Sequence, residues 1–200
     1  MSDPSAARDR GSLAAVSRLA NRLLDGLNAL ATGMAYLSGL GFMIASIYIT
    51  LDVLGRKFVG ISSAVTDEMG GYALVFGSTM ALAFALATGA HVRIDVLMPK
   101  FPPTMRTLLN YAAFLAMAFF AAMLAFYSWK LAFESWDTDA RAMSFLRTPI
   151  FIPQACMAFG FTLLAVEAAV VLAVALIDSA RDRRLREFRI LQMRELSEGL

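Results

Sequence analysis

Glu167 is the only acid near the middle of a long apolar stretch in this chain. An ionisable group in such a place is a candidate for carrying a proton or an ion. No basic residue of the chain lies at its depth, and Leu163, Leu164, Val170 and Val171 surround it one turn away. It is therefore neutral and holding its proton, hydrogen-bonded to a hydroxyl, or paired with another subunit. A proton or ion path needs more than one acid, so packing or subunit contact is the expected role. A second constellation is Asp52 and Arg56, one helical turn apart, followed after a short loop by Asp67 and Glu68. An arginine can fork onto carboxylates and hold two helices in register. The alternative is a set of surface ion pairs, which contribute little. The third is Gly89-Ala90-His91-Val92-Arg93-Ile94-Asp95. His91 and Asp95 would face each other on a continuing helix, making a hydrogen-bonded hinge with Arg93 near lipid phosphates. Generic interfacial polarity explains the same spacing.

Other chemistry has little to stand on. The chain has no Gly-rich phosphate loop, no HExxH and no cysteine cluster. His91 is the single histidine and cannot supply the two axial ligands of a haem held between membrane helices. Cys156 is the single cysteine, so it forms neither a disulfide framework nor a thiolate metal site; it reads as a small packing residue. No catalytic, cofactor-binding or metal-binding residue is expected, and the chain does not read as an enzyme.

The elements that position these residues are four apolar runs, at about 28–51, 71–90, 108–129 and 155–177. A helix needs about 20 mainly apolar residues to cross a hydrocarbon core of about 30 Å. Inside that core only helices or closed barrels satisfy the backbone, and the alternating pattern of barrel strands is absent. Mean hydropathy of +0.62 and 58% hydrophobic residues agree. The expected fold is all-α, one bundle of four transmembrane helices over 28–177. A basic amphipathic segment, 1–27, precedes it, and a charged helical tail, 178–200, follows. The first run is too long for a signal-peptide core, so it is expected to stay as the first span.

Lys and Arg fall on the two sides of the spans in the ratio 13 to 5 if both termini share a side. The positive-inside bias then predicts cytoplasmic termini. Leu13, Val16, Leu19 and Leu23 form a stripe opposite Arg18 and Arg22, as in a basic helix lying on the inner leaflet. A charged helix is expected over 181–196 as a solvated extension. The net charge of +2 gives no reason to invoke nucleic acid.

Packing has its own signature. The second run carries a small residue at every fourth position, Ala73, Gly77, Ala81, Ala85 and Gly89, and the fourth carries Ala165, Ala169 and Ala173. The first offers the pairs Ala35/Gly39 and Gly41/Ala45. Such ladders let backbones approach closely in lipid, and the longest is expected to be a packing seam. A short interfacial helix is expected at 62–69, with Asp67 and Glu68 at its positive end and a turn at Gly70-Gly71 into the second span. Pro102 and Pro103, with Thr104 as a cap, are expected to open the third helix. Pro149 and Pro153 flank the start of the fourth, where a missing N–H costs least.

The order of these features resembles the small membrane subunit of tripartite ATP-independent periplasmic (TRAP) transporters. The matching residues are Gly55-Arg56, Asp67-Glu68, Gly77, the Gly89–Asp95 element, Pro103, and Thr148-Pro149 with Pro153. The G-x-H-x-R-x-D element is the most specific. Two positions depart from that pattern. Ser63-Ala64-Val65-Thr66 stands where an aromatic usually precedes the paired acids, and Phe159-Gly160 replaces a common Pro-Gly, leaving the bend of the fourth helix open. The resemblance implies a subunit of a secondary transporter in a bacterial inner membrane. A periplasmic binding protein captures an organic anion, often a carboxylate, and a large membrane subunit moves it inward on a sodium gradient. The small subunit is similar to a stator that widens the scaffold, meets lipid and helps to dock the binding protein. The coupling sodium is expected in the large subunit, and no cofactor in this chain. From the clamp, ladder, hinge and mid-span readings above, Asp52, Arg56, Asp67, Glu68, Gly77, Ala81, Gly89, His91, Arg93, Asp95 and Glu167 are expected to be structural or subunit-contact residues. A membrane anchor of a respiratory oxidoreductase is the rival reading, and a solitary tetraspan scaffold a third.

Overall fold

The computed structural model describes residues 4–60, 63–89, 101–144 and 146–182. It contains four helices: α1 (Pro4–Phe58), α2 (Thr66–Ala87), α3 (Pro103–Asp137) and α4 (Phe151–Asp182). All four are long and apolar enough to cross a membrane, and among the described residues there is no strand, only an isolated bridge between Arg141 and Pro149. Three of the expected spans lie inside longer helices; the second, expected at 71–90, starts earlier and ends at Ala87. α1 is continuous from Pro4, so the basic amphipathic segment expected to lie on the leaflet continues the first span without a break. The side chains of Leu13, Val16, Leu19 and Arg18 lie outside the described residues, as do all but the first residues of the expected tail helix.

The connection into the second span differs from expectation. There is no separate interfacial helix at 62–69 and no turn at Gly70-Gly71; α2 starts at Thr66 and runs through both glycines. Two local interactions favour continuity. Asp67 and Glu68 sit in the first turn, where the exposed N–H groups favour negative charge. The Tyr72 hydroxyl donates to Glu68 Oε1 at 2.6 Å across one turn, tying that turn to the span. α3 begins one residue ahead of the expected cap. Pro103 is its first residue, Pro102 the flanking one, and Thr104 makes no cap bond. The Pro102 carbonyl instead accepts from the N–H groups of Met105 and Arg106, at 3.0 and 3.1 Å.

α4 is the most buried helix and α1 the least. α4 packs against α1, α2 and α3, while α1 pairs with α2. One apolar cluster joins Leu86 of α2 and Tyr111, Phe114 and Ala121 of α3 to Leu164, Ala168, Val171 and Ala175 of α4. A smaller one joins Ala31, Ala83 and Leu163. Two hydrogen bonds fasten α3 to α4: the Tyr111 hydroxyl donates to the Ala175 carbonyl at 2.8 Å, and Trp129 Nε1 donates to Thr162 Oγ1 at 3.0 Å. The outward faces stay apolar, with Tyr36 and Phe119 more than two-thirds exposed, as lipid allows.

Small residues do set the helix spacing, but only some of those expected. Gly77 is buried against α1, where an added Cβ would run into the Phe42 ring. Ala73, Ala81 and Ala85 are only partly buried, and the stripe of α2 that faces inward is Thr79, Met80, Ala83 and Leu86. Gly89 is not a packing residue of the helix. Its φ of +68° and its N–H bond to Leu86 O at 3.1 Å make it the left-handed residue that ends α2. On α4 the expected Ala169 and Ala173 face outward. The close approach comes from Gly160, whose added Cβ would stand 2.8 Å from the backbone carbonyl carbon and oxygen of Thr79.

These contacts rank three substitutions. At Gly160 a methyl meets backbone, which cannot step aside; at Gly77 it meets a ring that can rotate; at Gly71 it meets nothing within 4 Å. Gly160→Ala should lose about 1–3 kcal/mol, the usual range for overpacking. Gly77→Ala should lose less and Gly71→Ala nothing. Unfolding in mixed micelles measures all three, and a Gly160→Ala protein as stable as Gly71→Ala would refute the α2–α4 contact.

Candidate functional site

The polar residues singled out in the sequence separate into a group at the end where α1 passes into α2, a group at the opposite end and Glu167. In the first group Asp52 is the centre. It lies near the end of α1 and is 9% exposed. Its Oδ2 accepts from Arg56 Nη2 at 2.9 Å, and its Oδ1 accepts from the backbone N–H of Ser63. Ser63 is bound twice more. Its hydroxyl pairs with the Tyr48 hydroxyl at 2.8 Å and accepts from the Val65 N–H at 3.3 Å. The α1–α2 connection is thus drawn back onto α1 just before α2 begins.

This arrangement revises the expected clamp. Arg56 does not fork onto the acids that follow; its side chain is 57% exposed and pairs with Asp52 of its own helix. The bond between the two helical segments is made by Asp52, through Ser63. The paired acids also part company. Asp67 is exposed, while Glu68 turns inward to Tyr72 and faces Ser144 and Thr148 of the α3–α4 connection. Asp52 therefore ties the α1–α2 connection to the bundle, while Glu68 binds Tyr72 of its own helix and lies near the α3–α4 connection. Tyr72 was legible as a partner, being four residues from Glu68. Ser63, Ser144 and Thr148 were not, because each comes near its acid across a gap in sequence, and Tyr48 joins only through the Ser63 hydroxyl.

At the opposite end Gly89 is buried and ends α2, so the chain turns there. His91, Arg93 and Asp95 lie outside the described residues.

Glu167 is fully buried, at 0% exposure. Leu163, Leu164, Ala168 and Val171 of its own helix are buried beside it, and neither carboxyl oxygen has a hydrogen-bond partner. Its burial is complete within this one chain. Of the two roles expected for it, packing is the one this geometry accommodates; a contact with another subunit would require the bundle to open. A charge so placed would be strongly disfavoured, and no group of three or more metal-ligating side chains occurs among the described residues. Cys156 is a free, half-buried thiol. What the arrangement offers chemically is fastening: Asp52, buried near the end of α1, and Glu68, half-buried in the first turn of α2, both engage neighbouring groups.

The model of one protein family, described as "Tripartite ATP-independent periplasmic transporters, DctQ component", matches residues 43–178. The match takes in α2 and α3 whole, together with α1 from Met43 onward and α4 as far as Asp178. No curated protein matches the chain.

Two substitution series test the site. Asp52→Ala should reduce the yield of folded protein and its unfolding temperature more than Arg56→Ala does, because only Asp52 holds the connection; equal losses would restore Arg56 to the clamp. At Glu167 an apolar residue of similar length removes two unpartnered oxygens, so Glu167→Met should fold at least as stably as the parent. Glu167→Lys should not accumulate, since a mid-bilayer charge costs ~2.5–3.5 kcal/mol on insertion scales. A marked loss of stability in Glu167→Met would show that the carboxyl has a partner.

Proposed function

Because the chain belongs to the family of the DctQ component of tripartite ATP-independent periplasmic transporters, we propose that it is the fixed, non-catalytic scaffold of such a transporter. It widens and anchors the large membrane subunit in the bilayer and contributes to the face on which a periplasmic binding protein docks. The cargo is an organic anion, a carboxylate by chemical class, taken up with sodium. The coupling ion and the substrate are handled by the large subunit.

One observation carries this reading: the polarity of the bundle is consumed in holding it together. Asp52 binds the α1–α2 connection, Glu68 is engaged by Tyr72 within α2, Tyr111 and Trp129 bind α3 to α4, and Glu167, the mid-span acid, is closed in by apolar side chains. A transport path needs polar groups that face a cavity and exchange partners. A scaffold needs the reverse, groups that are permanently engaged or permanently enclosed. On this reading Asp67, exposed at the outer end, is free to meet a partner, and the outward Ala169 and Ala173 of α4 offer a smooth face to the large subunit. The protein is a multi-pass membrane protein. We place it in the bacterial inner membrane with both termini cytoplasmic, on the 13-to-5 division of basic residues.

Reconstitution tests the assignment. A large subunit and a binding protein that assemble with this chain should give sodium-driven uptake only when this chain is present, and Glu167→Gln should leave the sodium dependence unchanged. Uptake by the large subunit without this chain would overturn the scaffold role. In a Cys156→Ala background, an impermeant thiol reagent applied from outside should label Thr138→Cys but not Lys100→Cys or Ile190→Cys. Labelling at position 100 would reverse the orientation.

A further inference from the structure

Between α3 and α4 the chain is tied across itself. The Ala142 N–H donates to the Thr148 carbonyl and the Ile150 N–H to the Ala140 carbonyl, both at 3.0 Å, and Arg141 and Pro149 pair as an antiparallel bridge. The base of this hairpin is held by Trp136, which packs edge-on against Phe151 at 4.6 Å between ring centroids. Underneath, Ser144 and Thr148 face Glu68 in the first turn of α2. The hairpin thus sits over the end of α2, a helix packed against both α1 and α4.

The tip it holds up is of another character. Met143 is fully exposed, at 108% of its reference area, and Leu146 is 44% exposed. Arg147 is exposed as well and has no acidic partner among the described residues, whereas Arg141 is neutralised by Asp139 at 3.1 Å. Arg147 also adopts a φ of +49°, a left-handed conformation that a side chain other than glycine takes up at some expense. Such outliers persist where the surrounding structure imposes them, often at contact sites. A connection that bonds its backbone to itself and still presents methionine and leucine to the outside gains nothing for its own fold by doing so. Apolar groups shown together in this way mark a contact surface, and methionine adapts to partners of varied shape.

We propose that Met143, Leu146 and Arg147 form the contact through which a soluble protein on the outer side grips this chain. The complementary face offers a shallow apolar recess beside at least one carboxylate, because the single unpaired charge at the tip is a guanidinium. The position of the hairpin over the end of α2 favours this partner over the headgroups of the surrounding lipid. The proposal rests on the orientation and the docking role given above, which make the occupant the periplasmic binding protein.

A photoreactive amino acid placed at position 143 or 146 of the assembled membrane complex in nanodiscs tests it, with purified binding protein as the probe. Adducts with the binding protein are expected from 143 and 146 and not from the lipid-facing position 36. Met143→Asp and Arg147→Glu should each weaken association about tenfold, the scale of a contact residue at the centre of an interface, without lowering the unfolding temperature. Adducts to lipid alone at 143 and 146 would overturn the proposal, as would adducts to the binding protein from position 59 or 67 but neither tip position; the latter would leave the docking role standing. If the unaltered complex binds no binding protein at all, the docking role and the proposal fail together. Should a charge-changing variant fail to assemble, the adduct pattern alone decides.

Discussion

Lipid offers helices no hydrophobic reason to associate, since a leucine is as well solvated by acyl chains as by another leucine. Close backbone approach and internal hydrogen bonding must do that work, and in this protein both converge on α4. Gly160 brings α4 into contact with the backbone of Thr79. The bonds from Tyr111 and Trp129 then fasten α3 to its other side. With α4 so placed, the remaining packing follows. α1 needs to meet only α2 and α4, which leaves most of its surface to lipid. The same solvent explains where the hydroxyls go: Thr32, Ser38, Thr79 and Thr162 each donate to the carbonyl four residues earlier, the nearest acceptor when water is absent.

At the end of the bundle where α1 passes into α2 the rules change, because water is available again and connections must be held by polar contacts. Asp52 does this by reaching forward from the end of one helix to the backbone before the next. Glu68, at the start of α2, binds Tyr72 of its own helix and lies near a connection more than 70 residues later.

Glu167 is the fully buried acid whose two carboxyl oxygens both lack a partner. A buried carboxyl with no partner costs stability, and burial inside one chain means that no neighbouring subunit relieves it. Its persistence among leucine, valine and alanine shows that the bundle tolerates a loss at one position because packing elsewhere is close. The element containing His91, Arg93 and Asp95 carries much of the family resemblance. The geometry of the α1–α2 end and of α4 stands independently of it.

Much of the architecture was legible in the amino-acid order alone. Four spans follow from the length and uniform apolarity of four runs, because the bilayer imposes one length scale and forbids unpaired backbone. The family was legible too, since Gly55-Arg56, Asp67-Glu68 and the G-x-H-x-R-x-D element keep their order among those spans. Partners one turn apart could be read directly, as with Arg56 for Asp52 or Tyr72 for Glu68, since helical periodicity is local. Tertiary structure alone decided which small residues pack. The ladder on α2 marks one face, yet facing depends on where the neighbouring helices lie, so Gly77 meets α1, Gly89 ends the helix, and Gly160 supplies the approach to α2. It also decided that Ser63, Ser144 and Thr148 come near Asp52 and Glu68 and that Glu167 is enclosed by its own chain. Those contacts join residues distant in sequence, and no spacing rule encodes a distance that exists only once the helices have packed.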